Sequence, residues 1–407
     1  MLGLERESVD LLIKFYHFYG YKCKKHIVLL FFGAIISGLI ELLGIILLYV
    51  LIQVLIDIKS TEESTWIVSI FNFMGLENRN LIIPIFGACI LSVFLVKNVY
   101  ILFYYHLQHL TLRRWKNGIS NYLMERYLYS PYAFLLGYDS ATVIRNVNST
   151  VATALNGFVL SSLNYAANII TGFVMLSLLY LKYLGLTLLI AIILVLSTVL
   201  QNRFLKQIQI RLGKEREELA SEQTRSVYQG LHAVKETKVV GKENYFLDIF
   251  RDINSRTVDN EMKSLFFTRL PSHITEFVII LSVIIITTYV LLEHSNNATL
   301  SVSSLGALAV IAFRLAPIMN RTIGALQAMN KSSYSMKLLF SEVDKLRELK
   351  LLKDTQNIQK MNFEKEIILK NVSFSYPRSS AKVLKNINFS IKKGEFIGVV
   401  GASGAGK

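Results

Sequence analysis

Apolar residues along the chain are concentrated in six long stretches that polar segments separate. A helix needs roughly 20 apolar residues to cross the hydrocarbon core of a bilayer, and the six stretches are near that length. Helices also satisfy their own backbone N–H and C=O groups, for which lipid offers no partners. We therefore predict six membrane-spanning helices, at residues 27–55, 81–105, 158–181, 184–200, 275–292 and 300–319.

The connections between these stretches alternate between short and long. Residues 106–157 and 201–274 are predicted to be helices that continue out of the membrane and reverse in turns near residues 130–140 and 230–243. The N-terminal residues 1–26 and the two long connections carry 23 Lys and Arg, against 3 in the short connections. Because cytoplasmic loops accumulate basic residues, we expect the N-terminus and the long connections to be cytoplasmic.

Composition supports the membrane interpretation and argues against a nucleic-acid partner. The 407 residues are 52% hydrophobic and 18% charged, whereas soluble domains carry about 25% charged residues. The net charge of +15 is then explained by basic cytoplasmic loops rather than by nucleic-acid binding. The two cysteines, Cys23 and Cys89, form no spaced motif, so we predict neither a metal site nor a disulfide framework.

The chain changes character after the sixth stretch. We assign residues 27–340 to the transmembrane domain, 341–361 to a charged linker and 362–407 to the start of a β-containing domain. Apolar residues alternate with polar ones in two segments there, which predicts two strands, and a continuous apolar third strand follows. The residues that carry this pattern are Val372, Phe374 and Tyr376, then Ile387, Phe389 and Ile391, then Phe396 to Val400.

A glycine-rich motif directly follows the third predicted strand. The sequence GASGAGK fits G-x-x-x-x-G-K, in which backbone N–H groups surround phosphates and the Lys reaches the outer phosphates. This spacing after a strand predicts a nucleotide-binding loop. Its residues are Gly401, Ala402, Ser403, Gly404, Ala405, Gly406 and Lys407.

Six spans, long cytoplasmic helices, and VSFSYP followed about 25 residues later by GASGAGK together resemble an ATP-binding cassette (ABC) exporter half-transporter. The resemblance implies an all-α six-helix transmembrane domain, followed by the truncated β-rich start of a P-loop α/β ATPase domain. It implies ATP and Mg²⁺ as cofactors, with Tyr376 stacking on the adenine. It also implies a second half-transporter as partner, in a homodimer, because each ATP site combines one subunit's phosphate loop with the other's signature motif.

The same resemblance places the signature motif and the catalytic glutamate beyond residue 407. We therefore expect no catalytic residue within these residues, and we expect the chain to be part of a longer transport ATPase. An exporter of this kind is an integral membrane protein, which we place in the bacterial inner membrane with its nucleotide-binding domain in the cytoplasm.

Ionisable residues inside predicted spans are candidates for cargo binding. Arg314 and Arg321 lie seven residues apart, nearly two helical turns, and so point the same way. With Lys97 and Arg269 they would form a cationic wall for an anionic head group such as a lipid-linked phosphate. Two plainer explanations stay open: the basic side chains reach to the water boundary, or Glu41 in the first span pairs with one of them.

The segments FRLAPIMNR and SGLIELLGI resemble lipid-linked oligosaccharide flippases within the exporter class. The predicted function is therefore ATP-driven export or lipid flipping, with a lipid-linked glycan as cargo and membrane lipids as partners. The alternatives are a peptide or drug exporter, a membrane sensor with another P-loop ATPase, and a non-transporting scaffold or gated channel. The residues that follow the phosphate loop would distinguish these classes.

Overall fold

The computed structural model describes residues 6–57, 79–182, 184–293, 298–349, 363–375 and 382–401. These residues form eleven α-helices, three π turns and one two-stranded sheet. The helices are α1 (Arg6–Phe15), α2 (Tyr21–Asp57), α3 (Arg79–Leu128), α4 (Tyr132–Leu135), α5 (Ser140–Arg145), α6 (Val151–Thr153), α7 (Leu160–Lys182), α8 (Leu184–His232), α9 (Val234–Val240), α10 (Glu243–Glu293) and α11 (Ala298–Glu348). The π turns are Tyr16–Gly20, Asn146–Thr150 and Ala154–Val159, and the strands are β1 (Glu366–Phe374) and β2 (Leu384–Lys392).

Each of the six predicted spans lies within a long helix or a helix and its adjoining π turn. Within the described residues, three helical stretches are long and apolar enough to cross a membrane: Gly87–Leu128, Ser140–Val174 and Glu243–Ile285. A shorter apolar stretch, Val28–Glu41, lies in α2. The number of six spans therefore stays a prediction.

The chain reverses in the two regions where the sequence predicts turns. Between α3 and α5 the carboxylate of Asp139 accepts a hydrogen bond from the backbone N–H of Ala141 (3.3 Å), which caps the start of α5. The same carboxylate accepts from Nε of Arg225 in α8 at 2.6 Å. At the other reversal, Gly241 ends α9 with φ = 66°, a conformation that glycine adopts without steric cost.

The N-terminal helix α1 packs onto the main hydrophobic core, a feature that the sequence analysis missed. Leu11 and Phe15 of α1 are buried against α3, and the Phe15 ring meets the Trp115 ring edge-on at 5.3 Å between centroids. Aromatic pairs of this geometry contribute about 0.5–1.5 kcal/mol beyond area burial. The same core includes side chains of the Ala154–Val159 turn and of α11, so the first ten described residues help to hold the helix bundle together.

Two glycines let neighbouring helices approach α11 at adjacent positions. A Cβ atom on Gly213 of α8 would overlap the backbone carbonyl of Lys331, and a Cβ on Gly157 would overlap the Ser332 side chain. Side chains at these two positions would force the helices apart, because packed interiors leave no free volume. We call the place where Gly157, Gly213 and α11 meet the glycine contact.

A buried carboxylate joins α8 and α11 about one turn further along, and it also reaches the π turn Asn146–Thr150. The Glu217 side chain on α8 is 3% exposed. It accepts hydrogen bonds from the hydroxyl groups of Ser335 (2.6 Å) and Thr150 (3.2 Å). Nη1 of Arg145 donates to the Glu217 backbone carbonyl at 3.3 Å. Because buried polar groups lose much free energy when a partner is removed, this cluster fixes the relative positions of these segments.

The C-terminal end of α11 is held by α3. Nη1 of Arg126 donates to the carbonyl oxygens of Leu346 (3.3 Å) and Leu349 (3.5 Å). These carbonyls lie at the helix end, where no following turn provides backbone N–H groups for them. One residue further along α3, the hydroxyl of Tyr127 donates to Glu342 at 2.8 Å. The end of α11 that precedes the linker is therefore attached to the bundle.

The two predicted strands are present, and the structure pairs them antiparallel with a matched irregularity in the middle of the pair. Asn371 and Asn386 both have positive φ (50° and 49°), and the register shifts beside them. Nδ2 of Asn388 donates to the Asn371 side-chain oxygen at 2.9 Å across this point. The bulges keep apolar cross-strand pairs in register: Ile367 with Ile391, Leu369 with Phe389, Val372 with Ile387 and Phe374 with Leu384.

The third predicted strand, Phe396–Val400, is wrong for this structure. These residues follow the turn at Gly394 without strand pairing, and Phe396 and Val400 are almost fully exposed. A strand needs neighbours for its backbone hydrogen bonds, and no described segment lies beside this one to provide them. Local apolar composition alone therefore does not create the strand.

We expect Gly213→Ala to lower stability by about 1–3 kcal/mol, because the added methyl group forces α8 and α11 apart. Thermal unfolding of the purified protein in detergent measures the change. Gly87→Ala is the matched control, since a Cβ at Gly87 in α3 meets nothing within 4 Å. Equal unfolding temperatures for the two variants would contradict the close contact.

Burial lowers the pKa of Lys331, the positive charge of Arg216 lowers it further, and Glu261 partly opposes both. The folded state therefore penalises the charged amine, and this penalty disappears as the pH rises through the folded pKa towards 10.5. We expect Lys331→Met to raise the unfolding temperature at pH 7 and to lose that advantage near pH 10. The exposed Lys235 provides the control variant Lys235→Met, and an advantage of Lys331→Met that does not depend on pH would refute the electrostatic cause.

Candidate functional site in the helix bundle

Three of the five ionisable candidates converge where α2, α3 and α11 meet. Nζ of Lys97 lies 3.4 Å from Oε1 of Glu41, and Nη2 of Arg321 lies 3.8 Å from the same oxygen. The three side chains are 7%, 12% and 44% exposed for Lys97, Glu41 and Arg321 respectively. Two cations therefore share one carboxylate, and the cluster carries a formal charge of +1.

Lys97 and Glu41 form the buried part of this cluster. The Lys97 amine also lies 5.3 Å from the centre of the Phe94 ring, within range of a cation–π interaction. A buried charge requires a partner, since unpaired burial is very costly. Lys97 is thus the residue that neutralises Glu41, and the pairing that the sequence analysis left open for Glu41 is present in the structure.

Arg321 occupies a different position in the cluster. Its guanidinium is the most exposed of the three charged groups, and its contact with Glu41 is the longer one. Nε of Arg321 donates to the carbonyl of Pro317, one turn earlier in α11, at 3.3 Å. Since Lys97 already balances Glu41, the positive charge that remains for a ligand is that of Arg321.

A cavity of about 360 Å³ opens beside this cluster. This size is within the range of small-molecule sites in proteins. Glu41 and Arg321 provide its charged end, and residues from α2, α3, α7 and α11 provide its walls. The uncharged polar lining residues are Ser37, Tyr104, Tyr105, Ser161, Asn164, Asn168 and Thr171; the remaining ones are Ala34, Ile101, Ala167, Gly324, Ala325 and Ala328.

The polar wall contributed by α7 is the part of the site that sequence reasoning missed. Ser161, Asn164, Asn168 and Thr171 follow a spacing of three, four and three residues, which places them on one face of the helix. The signal was available, because four amide or hydroxyl groups on one face of a predicted membrane span are unusual where lipid provides no hydrogen bonds.

Of the other candidate residues, the structure describes only Arg269 and Gly401 in full. Arg269 lies on α10 with an exposed side chain and does not line the cavity. Arg314 lies in α11, but its side chain falls outside the described residues. In the nucleotide-binding segment, Tyr376 and residues 402–407 also fall outside them, and Gly401 is described as exposed. Within the described part of the chain, no three His, Cys, Asp or Glu residues form a group able to hold a metal ion.

The long helices continue beyond their apolar stretches, and short helices join them where the chain reverses. This arrangement defines a helical membrane domain whose helices extend out of the membrane. The sequence model of the ABC transporter transmembrane region matches residues 27–315. The chain therefore belongs to the ABC transporter transmembrane region family.

Individual relatives agree with this assignment. The chain is 21% identical over 285 residues to an ATP-dependent lipid A-core flippase of Cupriavidus pinatubonensis, a match that covers 70% of this chain and 47% of the relative. It is 27% identical over 231 residues to the nisin transport ATP-binding protein NisT of Lactococcus lactis, covering 55% and 37%. The chain thus spans about half the length, or less, of these curated relatives.

The solved structure of a bacterial Atm1-family ABC exporter with ATP bound shares the fold. The two superimpose with a TM-score of 0.71 at 13% identity, over 91% of this chain and 62% of the other. The predicted fold class, an exporter-type helical domain followed by the β-rich start of a further domain, is therefore confirmed.

We expect Lys97→Met to destabilise the protein by about 3 kcal/mol, because it leaves the buried Glu41 carboxylate with only its longer contact to Arg321. The double variant Glu41→Gln with Lys97→Met should recover most of this loss, since both charges are then removed. Thermal unfolding of the wild type, both single variants and the double variant completes the cycle. Additive losses in the double variant would show that the two residues do not act as a pair.

Proposed function

We propose that the chain is the membrane part of an ATP-driven exporter or flippase that moves a lipid-linked anionic cargo. The observation that carries this proposal is the cavity next to the charge cluster, with Arg321 exposed beside a Glu41 that Lys97 already neutralises. Guanidinium groups bind phosphate oxygens with paired hydrogen bonds. The lipid A-core flippase relative supports the lipid-linked cargo.

The charge arrangement suggests how an anionic head group enters the cavity. In the absence of cargo, the Glu41 carboxylate forms ion pairs with both Lys97 and Arg321. When an anion arrives, Arg321 can turn from Glu41 to the anion while Lys97 keeps its contact of 3.4 Å with the carboxylate. The buried carboxylate is then never left without a cation, which would be costly in a low-dielectric interior. On the sequence evidence, Arg314 would extend the same cationic surface, whereas Arg269 lies on α10 outside the cavity lining.

ATP would provide the driving force through the C-terminal segment. The adenine would stack on Tyr376, and the phosphates would lie against Gly401, Ala402, Ser403, Gly404, Ala405, Gly406 and Lys407. This donor set, backbone N–H groups and one Lys, fits the phosphate oxygens of ATP, and Mg²⁺ would be bound through the same phosphates. We further propose a homodimer, with a second half-transporter completing the ATP sites, in the bacterial inner membrane with N-terminus and nucleotide-binding domain in the cytoplasm.

Peptide export is the second candidate, and the nisin transport relative is the observation that favours it. The two candidates differ in what the cavity must recognise. An anionic lipid head group requires the positive charge of Arg321, whereas a peptide presents amide groups with either sign of charge or none. Variants of Arg321 therefore separate them.

We expect Arg321→Gln to weaken binding of a polyprenyl diphosphate by about tenfold or more, because it removes a charge-assisted hydrogen bond. Binding is measured with the purified chain in nanodiscs. Arg113→Gln is the matched control, since Arg113 is exposed on α3 and does not line the cavity.

The same pair of variants tests transport in liposomes, with the chain joined to a complete nucleotide-binding domain. Polyprenyl diphosphate glycans should stimulate ATP hydrolysis by the wild type and by Arg113→Gln, but not by Arg321→Gln, whose basal hydrolysis should persist. Stimulation by peptides with no response to the lipid would favour peptide export. Equal lipid stimulation of both variants would remove Arg321 from the cargo site.

A further inference from the structure

We infer that the cavity takes a hydroxyl-rich head group, a sugar attached to the phosphate, with Asn168 and Ser37 selecting the sugar. This inference rests on the proposed function and identifies the uncharged part of its cargo. Two helices of the cavity lining carry it: α7 with its polar face, and α2 with Ser37 one turn before Glu41.

The hydrogen-bonding groups of these walls are largely uncommitted within the described structure. The Asn168 amide and the hydroxyl groups of Ser37 and Ser161 make no hydrogen bond with described protein atoms. Asn164 uses only its side-chain oxygen, which accepts from Nε2 of Gln108 at 3.2 Å. The Thr171 hydroxyl donates to the Ala167 carbonyl at 3.0 Å and keeps its acceptor capacity.

Groups of this kind inside a membrane bundle require partners that lipid cannot provide. In the absence of cargo, water would have to satisfy them. A ligand displaces such water favourably only when it reproduces the hydrogen bonds that are lost. A hydrocarbon chain or an apolar drug in this position would leave the Asn168 amide unpaired, whereas sugar hydroxyl groups both donate and accept.

The charges in the cavity lining narrow the class of head group further. Glu41 is the only carboxylate of the described lining, and Lys97 already neutralises it. The cationic group of a zwitterionic head group would therefore find no unpaired carboxylate in the described lining. Arg321 offers one site for an anion, and the amides and hydroxyl groups beside it offer sites for uncharged hydroxyl groups, the combination found in a sugar phosphate.

The test uses two ligands that differ only in the sugar. The purified chain in nanodiscs is titrated with a polyprenyl diphosphate that carries a glycan and with the same polyprenyl diphosphate without sugar. Wild-type protein should bind the glycan-bearing ligand more tightly. Asn168→Leu, which keeps the side-chain shape, should lower the affinity for the glycan-bearing ligand about fivefold and leave the affinity for the sugar-free ligand unchanged.

Two further variants and one control complete the design. Ser37→Ala, on α2, should weaken binding of the glycan-bearing ligand about threefold and leave binding of the sugar-free ligand unchanged. Arg321→Gln should lower the affinity for both ligands by the same factor. Asn98→Leu, an exposed position on α3 outside the cavity, should affect neither. For Asn168→Leu and Ser37→Ala, unchanged affinity for the sugar-free ligand shows that the variant is folded.

The outcomes separate this inference from the proposed function. If the wild type binds both ligands equally, or Asn168→Leu weakens both to the same extent, the sugar site is refuted while the anionic-lipid proposal stands. If the wild type binds neither ligand, both are refuted.

Discussion

The shared carboxylate of Glu41 is the interaction on which the candidate site depends. A carboxylate in this position is tolerated only because Lys97 is buried with it, and that pairing fixes α2 against α3. Arg321 brings α11 to the same oxygen at a longer distance. Without the buried pair, Arg321 would have to neutralise Glu41 permanently, and the described lining of the cavity would offer no positive charge to a ligand.

Helix α11 connects the cavity to the part of the chain that precedes the strands. It carries Arg321 in the cavity, then Lys331 and Ser332 at the glycine contact, then Ser335 on the Glu217 carboxylate. From Arg321 to the end of the helix at Glu348 the axial distance is about 40 Å at 1.5 Å per residue. A displacement at the cavity would therefore reach the linker through one continuous helix, whose end Arg126 attaches to α3.

Much of this architecture could be predicted from sequence, for identifiable physical reasons. Apolar length predicted the positions of the long helices, and alternation predicted β1 and β2, because both signals are local. The Phe396–Val400 strand failed, since a strand needs a paired neighbour that composition does not provide. Glu41, Lys97 and Arg321 were found as rare charges in apolar stretches, but their convergence on one oxygen required the packing of three helices. The packing of Phe15 on Trp115 and the closeness of Gly213 to Lys331 are equally non-local.

The two π turns at Asn146–Thr150 and Ala154–Val159 have a consequence for how this region is aligned with other chains. Each π turn closes its hydrogen bond over one residue more than an α-helical turn, so each shifts the helical phase by about 100° relative to an uninterrupted helix. Gly157 follows the extra residue of one π turn and the polar face of α7 follows those of both, so they point in directions that an uninterrupted helix would not give them. A homologue that lacks one insertion would present a different side of this helix to α8 and α11, even where its local sequence looks the same.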